Sequence, residues 1–570
     1  MAAPTESGLP FRLADFDTFV EALDYAATGA TGMTYYNAKG EVVDLLPYAD
    51  LAADARNVAA RLLAAGLVPG DHVALLAETN ADFARTFCGC LYAGLVPAPL
   101  PLPVAFGDRS AYNDQLARIV DVAKARAVFT GDEYADWVKE AMSPFDLAYV
   151  GPLADLPNDA APIDHVKPNR DALAYLQFSS GTTGAPKGVA VTHGSMMANL
   201  HAIAKYGLKL KEGDRGISWL PLYHDMGLVG CFLTPIATQF SADYIATKDF
   251  VRRPLLWLEL MHRNRGTITY APSFGYDLAM RRARGKAPEG MDLSSWRAAG
   301  IGGDMIKAPI IRAFSEVFAD AGFKASSFVP SYGMAETTLA LSFAPEGQGL
   351  RTERLDLMAL ERDMVAKAPT GDGPARDFAL CGPALADHKI EVRDEDGTPL
   401  PEGRVGKIFA AGPSLMREYF GDPEQTAACL KDGWLDTGDL GFFLEGQIVI
   451  TGRAKDLMIV HGRNLWPQDL EWTIEKQVDA VREHGAAAFS VTPDDTGKTV
   501  EEKVIVVVEC RLRNDEDREA LRKQVHGAVR EIHGVEAIVM LAGNNTLPKT
   551  SSGKLSRAKA RVMYLEGAFA

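Results

Sequence analysis

The sequence predicts an α/β protein with a large N-terminal part, built of parallel-sheet α/β subdomains and a β-rich subdomain, and a small C-terminal α/β domain. Three observations predict it. The chain has 570 residues, too many for one hydrophobic core. Between about residues 50 and 175, helix-like stretches alternate with short apolar runs, the rhythm of a largely parallel sheet. After "TGRAKD" (451–456) the strand–helix pattern starts afresh.

The elements follow in order. "ADLAADARNVAARLLAAGL" spaces its apolar residues as a helix does, then meets Pro-Gly and the strand-like "HVALLAE". "RAVFTG" and "LAYLQF" repeat the strand signal. The apolar stretch "LYAGLVPAPLPLPVAF" (91–106) carries prolines at 97, 99, 101 and 103. These forbid a membrane-spanning helix, so the stretch reads as a helix end followed by extended chain. Beyond about residue 380, "HKIEVRDEDGTPLPEGRVGKIFAAG" reads as strand, Asp-Gly turn and strand, giving a β-rich part over about 380–452. "LMIV", "AAAFSV" and "EKVIVVVECRL" read as strands, and "PQDLEWTIEKQ" and "DEDREALRKQVHGAVREIHG" as helices, the first with Pro467 in its first turn. The division falls at 453–456, with domains 1–453 and 454–570.

Composition narrows the function classes. Apolar residues at 47% and charged residues at 24% are ordinary globular values. The net charge of −16 argues against nucleic acid or an anionic membrane as a general partner, and an enzyme of this balance that handles phosphates must concentrate positive charge locally. The six cysteines form no metal-binding pattern and read as reduced, buried thiols, and no secretory signal opens the chain, so a cytoplasmic location is expected.

"LQFSSGTTGAPKGVAVTH" runs strand, Gly/Ser/Thr loop, strand. The spacing from Gly181 or Gly184 does not meet a Gly-Lys pair, so this is not a Walker loop. Its chemistry still suits a phosphate: Gly181, Gly184 and Gly188 allow close approach of backbone N–H groups, Ser179, Ser180, Thr182 and Thr183 add hydroxyl donors, and Lys187 supplies charge. A solvated Ser/Gly turn is the alternative for the loop taken alone.

The loop is followed by "PLYHDMG" (221–227), "SYGMAET" (331–337), "WLDTGDLG" (434–441), "TGRAKD" (451–456) and "KTSSGKL" (549–555). In this order and at these intervals the chain resembles the adenylate-forming superfamily of acyl-CoA synthetases, luciferases and peptide-synthetase adenylation domains. The resemblance implies activation of a carboxylate with ATP to an acyl-adenylate and pyrophosphate, then acyl transfer to a second acceptor. It implies that Ser179–Gly188 hold the β- and γ-phosphates and that Glu336 carries Mg²⁺. Tyr332, with Gly333 beside it, would stack on adenine, and Gly302, Gly303 and Asp304 would line the adenine pocket. Asp439 and Arg453 would bind the ribose. Lys554 would meet the carboxylate and α-phosphate, His224 would lie beside both, and Lys455 would be the hinge of a mobile C-terminal domain. A cation between two anions is what that step needs.

Within the superfamily the resemblance is to the fatty acyl-AMP ligases, through "SWLPLYHDMGLVG", "YAPSFGYDLAMRR" and "DLMIVHGRNLWPQDLE". "GGDM", the tryptophan of "HGRNLWPQ" and Thr183 of the phosphate loop depart from the usual forms. This branch carries an insertion, here about 350–376, that hinders reaction with CoA. The expectation is therefore a fatty acid substrate lying in an apolar tunnel lined by "TPIATQF" and "APSFGYDL", with transfer to the phosphopantetheine thiol of an acyl carrier protein. A synthetase using free CoA, an amino-acid-activating domain and a non-catalytic binder are the alternatives. "RRARGK" (281–286) is a candidate basic docking patch or a solvated helix end.

Overall fold

The structure is a computed structural model that describes residues 2–103, 109–157, 168–179, 186–460, 462–482, 484–492, 502–549 and 554–569, with the backbone alone at 111 and 179. It is a mixed α/β fold. An eight-stranded sheet runs, in spatial order, Ala340–Phe343, Phe328–Gly333, Ala298–Ile301, Ile268–Ala271, Arg215–Ser218, Ser241–Ile245, Gly32–Tyr36 and Val42–Pro47. The inner strands are parallel and the two edges antiparallel. The inner strands are short and nearly all buried, as strands covered on both faces must be.

A second, four-stranded parallel sheet has the order Val96–Leu100, His72–Leu76, Ala125–Phe129 and Tyr149–Gly151. The proline-rich stretch supplies its edge strand. Val96 donates its N–H to Asp71 O at 2.9 Å, while Pro97 and Pro99 have no N–H to offer, which an edge strand tolerates. The strand Leu173–Ser179, expected within the parallel rhythm, instead pairs antiparallel with Lys187–Thr192, which in turn pairs with Glu418–Tyr419. An apolar run specifies a strand but carries no information on the direction of its partner.

From Thr352 onward antiparallel pairing dominates. Thr352–Asp356 and Ala375–Ala379 form a ribbon with the helix Leu357–Asp363 between them. Lys389–Arg393, Gly406–Ala411, Trp434–Leu444, Leu430–Lys431 and Gln447–Arg453 form a five-stranded sheet.

Beyond Met458 the strands Ala486–Val491, Lys503–Glu509 and Ala537–Ala542 make a three-stranded sheet with its own apolar cluster around Leu470, Val506 and Val525. The helix Asp515–His533 shows why its sequence folds locally. Asn514 caps it by accepting from Glu516 N, acidic residues fill its first turn, and Gly534 ends it in the left-handed region.

The ribbon 352–379 and the C-terminal part are tied together. Arg463 pairs with Glu361, Asn464 Nδ2 donates to Glu361 O at 3.1 Å, and Arg376 pairs with Asp469. Trp466, 1% exposed, packs into one apolar cluster with Leu355, Leu360 and Phe378 of the ribbon. Burying a side chain of this size contributes about 1.5–3 kcal/mol. All six cysteines are unpaired with one another, and burial pushes the Cys88 and Cys90 thiols well up. No helix among the described residues is long and apolar enough to cross a membrane.

Candidate active site

The ends of the 298–301 and 328–333 strands, the segment after 218, the sheet 389–453 and the C-terminal part meet around a cavity of about 1110 Å³. Of the residues expected at the site, Lys187, His224, Gly303, Asp304, Tyr332, Gly333, Glu336, Asp439, Arg453, Lys455 and Lys554 all line it. Gly188, paired with Phe178 across the strands, and Gly302 do not. Gly302 is set back from the wall against Ser331, whose Oγ would lie 2.9 Å from an added Cβ. Ser180, Gly181, Thr182, Thr183 and Gly184 lie outside the described residues, as does the Ser179 side chain; the Ser179 backbone pairs with Lys187 across the strands.

Tyr332 leaves the strand Phe328–Gly333 and donates its hydroxyl to Asp439 Oδ2 at 2.8 Å. Asp439 Oδ1 pairs with Arg453 Nε at 3.0 Å, the two residues being direct cross-strand partners. The Asp439 charge holds the Arg453 guanidinium above its ordinary value. Burial, then Arg453, lowers the Lys455 amine in the turn Ala454–Asp456. Gly333 has no room for a side chain, since a Cβ would sit 1.8 Å from Leu339 O. Gly303, at φ +77°, lies under Met226.

Glu336 sits in the single turn Ala335–Thr337, and its Oε1 accepts from Tyr419 Oη at 2.7 Å. The Tyr419 ring lies 4.8 Å from Lys187 Nζ. Tyr419 therefore connects the expected metal carboxylate to the expected phosphate lysine. It was not legible as a site residue, because only the pairing of Glu418–Tyr419 with Lys187–Thr192 brings it there. Among the described residues no three His, Cys, Asp or Glu side chains cluster as a metal cage. One carboxylate on the cavity wall fits Mg²⁺, which takes one or two carboxylates and completes its shell with water and substrate phosphates.

His224 Nδ1 lies 2.6 Å from Asp225 Oδ1, and Asp225 also accepts from Met226 N at 2.7 Å, starting the wide-turn helix Met226–Leu233. Burial pushes the Asp225 carboxyl up, but the His224 contact and the Lys554 ammonium more than offset this and leave it below its ordinary value. Lys554, His224 and Asp225 all line the same cavity. Cys231, Thr234, Phe240, Ile203, Leu208 and Phe343 also line the cavity. "TPIATQF" and "APSFGYDL" contribute Thr234, Pro235 and Phe240, and Pro272, Phe274 and Leu278. Of "RRARGK", Arg281 pairs with Asp277 at 2.7 Å and reaches the cavity wall.

A cavity whose wall carries Lys187, Arg453 and Lys554 together with many apolar side chains suits an enzyme that joins an organic acid to a nucleotide. The chain belongs to the AMP-binding enzyme family, which matches it over residues 37–420. It is similar to a Caulobacter vibrioides protein named "Putative acyl-CoA synthetase", with 53% identity covering 100% of this chain and 99% of that one. The long-chain-fatty-acid–AMP ligase FadD32 of Mycolicibacterium smegmatis is 33% identical, covering 92% and 89%. A solved structure from studies of fatty acyl-adenylate ligases of E. coli and L. pneumophila superposes with a TM-score of 0.92 at 42% identity, covering 98% of this chain and 100% of that chain.

Proposed function

We propose that the protein is a fatty acyl-AMP ligase that activates a fatty acid with ATP and passes the acyl group to the phosphopantetheine thiol of an acyl carrier protein. The observation that carries this reading is one cavity wall that holds both sets of groups: Lys554, His224, Glu336 and the Tyr332–Asp439–Arg453 chain, and the apolar Ile203, Leu208, Phe240 and Phe343. In the first step a carboxylate oxygen attacks the α-phosphorus and pyrophosphate leaves. Lys554 would hold the two anions together, and Arg453 and Asp439 would fix the ribose. Glu336 would hold Mg²⁺, which screens phosphate charge when bound. In the second step the thiol attacks the acyl carbon and AMP leaves. Lys455 would be the point about which the part from 454 onward turns between steps. Six unpaired thiols suit a cytoplasmic setting.

The carrier reading is supported by the resemblance to the fatty acyl-AMP ligases, whose insertion that hinders CoA is expected at about 350–376, where the ribbon 352–379 lies. The ribbon's Glu361–Arg463 and Arg376–Asp469 pairs tie it to the C-terminal part. The similarity to a protein named as an acyl-CoA synthetase favours CoA as the second reading. Mass spectrometry of products from a fatty-acid panel with ATP and Mg²⁺, with CoA or a phosphopantetheinylated carrier, separates them. Acyl-AMP that persists with CoA and is consumed by the carrier is the expected result. Rapid acyl-CoA formation would overturn the carrier reading, and no acyl-AMP with any fatty acid would overturn both.

A further inference from the structure

Three residues beyond Lys554, Arg557 opens the helix Arg557–Leu565 and makes a set of contacts the reaction as described does not use. Its Nε and Nη2 donate to Glu471 Oε1 and Oε2 at 2.8 and 2.7 Å, a two-pronged grip on a side chain only 5% exposed. Its Nη1 donates to Asp456 Oδ2 at 3.1 Å, beside the proposed turning point Lys455. Glu471 is fixed in turn, because its Oε1 also accepts from Ala488 N at 3.0 Å. The stem carrying Lys554 is held next to this grip. Lys549 and Leu555 form an antiparallel bridge, and Ser556 N donates to Pro548 O at 2.9 Å.

The geometry points to Arg557 as the positioning residue for the Lys554 ammonium. By holding Glu471 and Asp456 at once, it fixes the Lys554 stem to the segment 454–456 and aims the ammonium into the cavity. A planar guanidinium is suited to this, since one side chain can satisfy two carboxylates in fixed directions where an ammonium cannot. Burial works against the Arg557 charge, yet Glu471, Asp456 and, from the facing wall, Asp304 hold the guanidinium above its ordinary value. Arg557, Asp456, Glu471 and Lys554 all border the same cavity.

The inference rests on the adenylating reading, and its test keeps the two apart. Asp456→Asn weakens the partly exposed contact to Arg557 and removes a charge that also acts on Arg453 and Lys455, while Arg557→Lys keeps the charge and loses the fork. Each full-length variant is assayed for acyl-AMP formation from fatty acid and ATP, for KM of both substrates, for transfer from synthetic acyl-AMP to the acceptor, and for melting temperature. Expected are a kcat for acyl-AMP formation lowered about threefold in Asp456→Asn and about tenfold or more in Arg557→Lys, unchanged KM values, and unchanged transfer from synthetic acyl-AMP. Asp456→Asn should melt with the wild type, so its loss of kcat cannot be a loss of folded protein. Normal kcat in both variants, with Lys554→Ala inactive, would overturn this inference and leave the adenylating reading standing. Losses that match the unfolded fraction, or that fall equally on both half-reactions, would assign Arg557 a structural role only. A wild type that makes no acyl-AMP would overturn both.

Discussion

Replacing Tyr419 by Phe removes one oxygen and keeps the ring. That oxygen donates to Glu336 Oε1 at 2.7 Å from a tyrosine 8% exposed, while the ring keeps its 4.8 Å approach to Lys187 Nζ. A hydrogen bond to a charged acceptor contributes about 1.5–3 kcal/mol, and about 1.4 kcal/mol corresponds to a tenfold change in rate. If Glu336 must be held in one orientation to receive Mg²⁺ with ATP, kcat/KM for Mg·ATP should fall about 10- to 100-fold. Tyr419→Leu also removes the cation–π contact and should cost about 0.5–1 kcal/mol more. The assay is pyrophosphate release at saturating fatty acid, with Mg²⁺ titrated at fixed ATP. Mn²⁺ binding followed by electron paramagnetic resonance gives a readout independent of turnover. Less than a twofold change in both measurements for Tyr419→Phe would mean that the phenol does not orient Glu336, and the reasoning would fail.

Lys554→Ala should slow acyl-AMP formation roughly a thousandfold, because a cation about 4 Å from an oxyanion is worth about 4 kcal/mol at an effective dielectric near 20. ATP binding, followed by calorimetry with a non-hydrolysable analogue, should stay near the wild-type value. Arg463→Met leaves the Glu361 carboxylate buried without its ionic partner and should destabilise the packing of the ribbon on the C-terminal part by about 3–5 kcal/mol. Hydrogen exchange read at residues 357–363 and 463–477 checks it, protected amides in the variant being the contrary result. Stability should also fall with acid. Burial, with the charges of Arg463 and Arg376, pushes His533 down to about 4, so below its unfolded value the folded state resists a proton the unfolded chain accepts. This stability is present above about pH 6.5 and lost towards pH 4, with about 2 kcal/mol gone by pH 5. His533→Gln should flatten this dependence in chemical-denaturation midpoints between pH 7.5 and 5, and an unchanged slope would refute the assignment.

Local chemistry made much of the fold legible. Pro467 in a first turn and the acidic start before Gly534 define the helices Pro467–Gln477 and Asp515–His533 within their own sequences. Long-range pairing was not legible in the same way. Tyr419 reaches Glu336 across 83 residues, from a strand of two residues with no period to read. Arg463 reaches Glu361 across 102 residues, and nothing in "HGRNLWPQ" specifies that partner. Gly302 and Gly303 were indistinguishable as adjacent glycines, yet in the bend after the strand Ala298–Ile301 Gly303, at φ +77°, lines the wall while Gly302 lies against Ser331.

The charge balance joins these observations. A protein of net charge −16 must assemble a local positive field before it can accept a polyphosphate and a carboxylate together. Lys187, Arg453, Lys455, Lys554 and Arg557 border one cavity, drawn from segments far apart in the chain. Arg453 is held by Asp439, and Arg557 by Glu471 and Asp456, so these cations are oriented before any anion arrives. Lys554 borders the same cavity, and its charge helps to hold the Asp225 carboxyl below its ordinary value. Arg453, proposed to hold the ribose, is thus fixed on the sheet 389–453, whereas Lys554, proposed for the reacting oxygens, is carried by a stem that the inference above ties to Arg557. That division would suit the proposed two-step reaction, in which the nucleotide stays while the ammonium is needed for the first step.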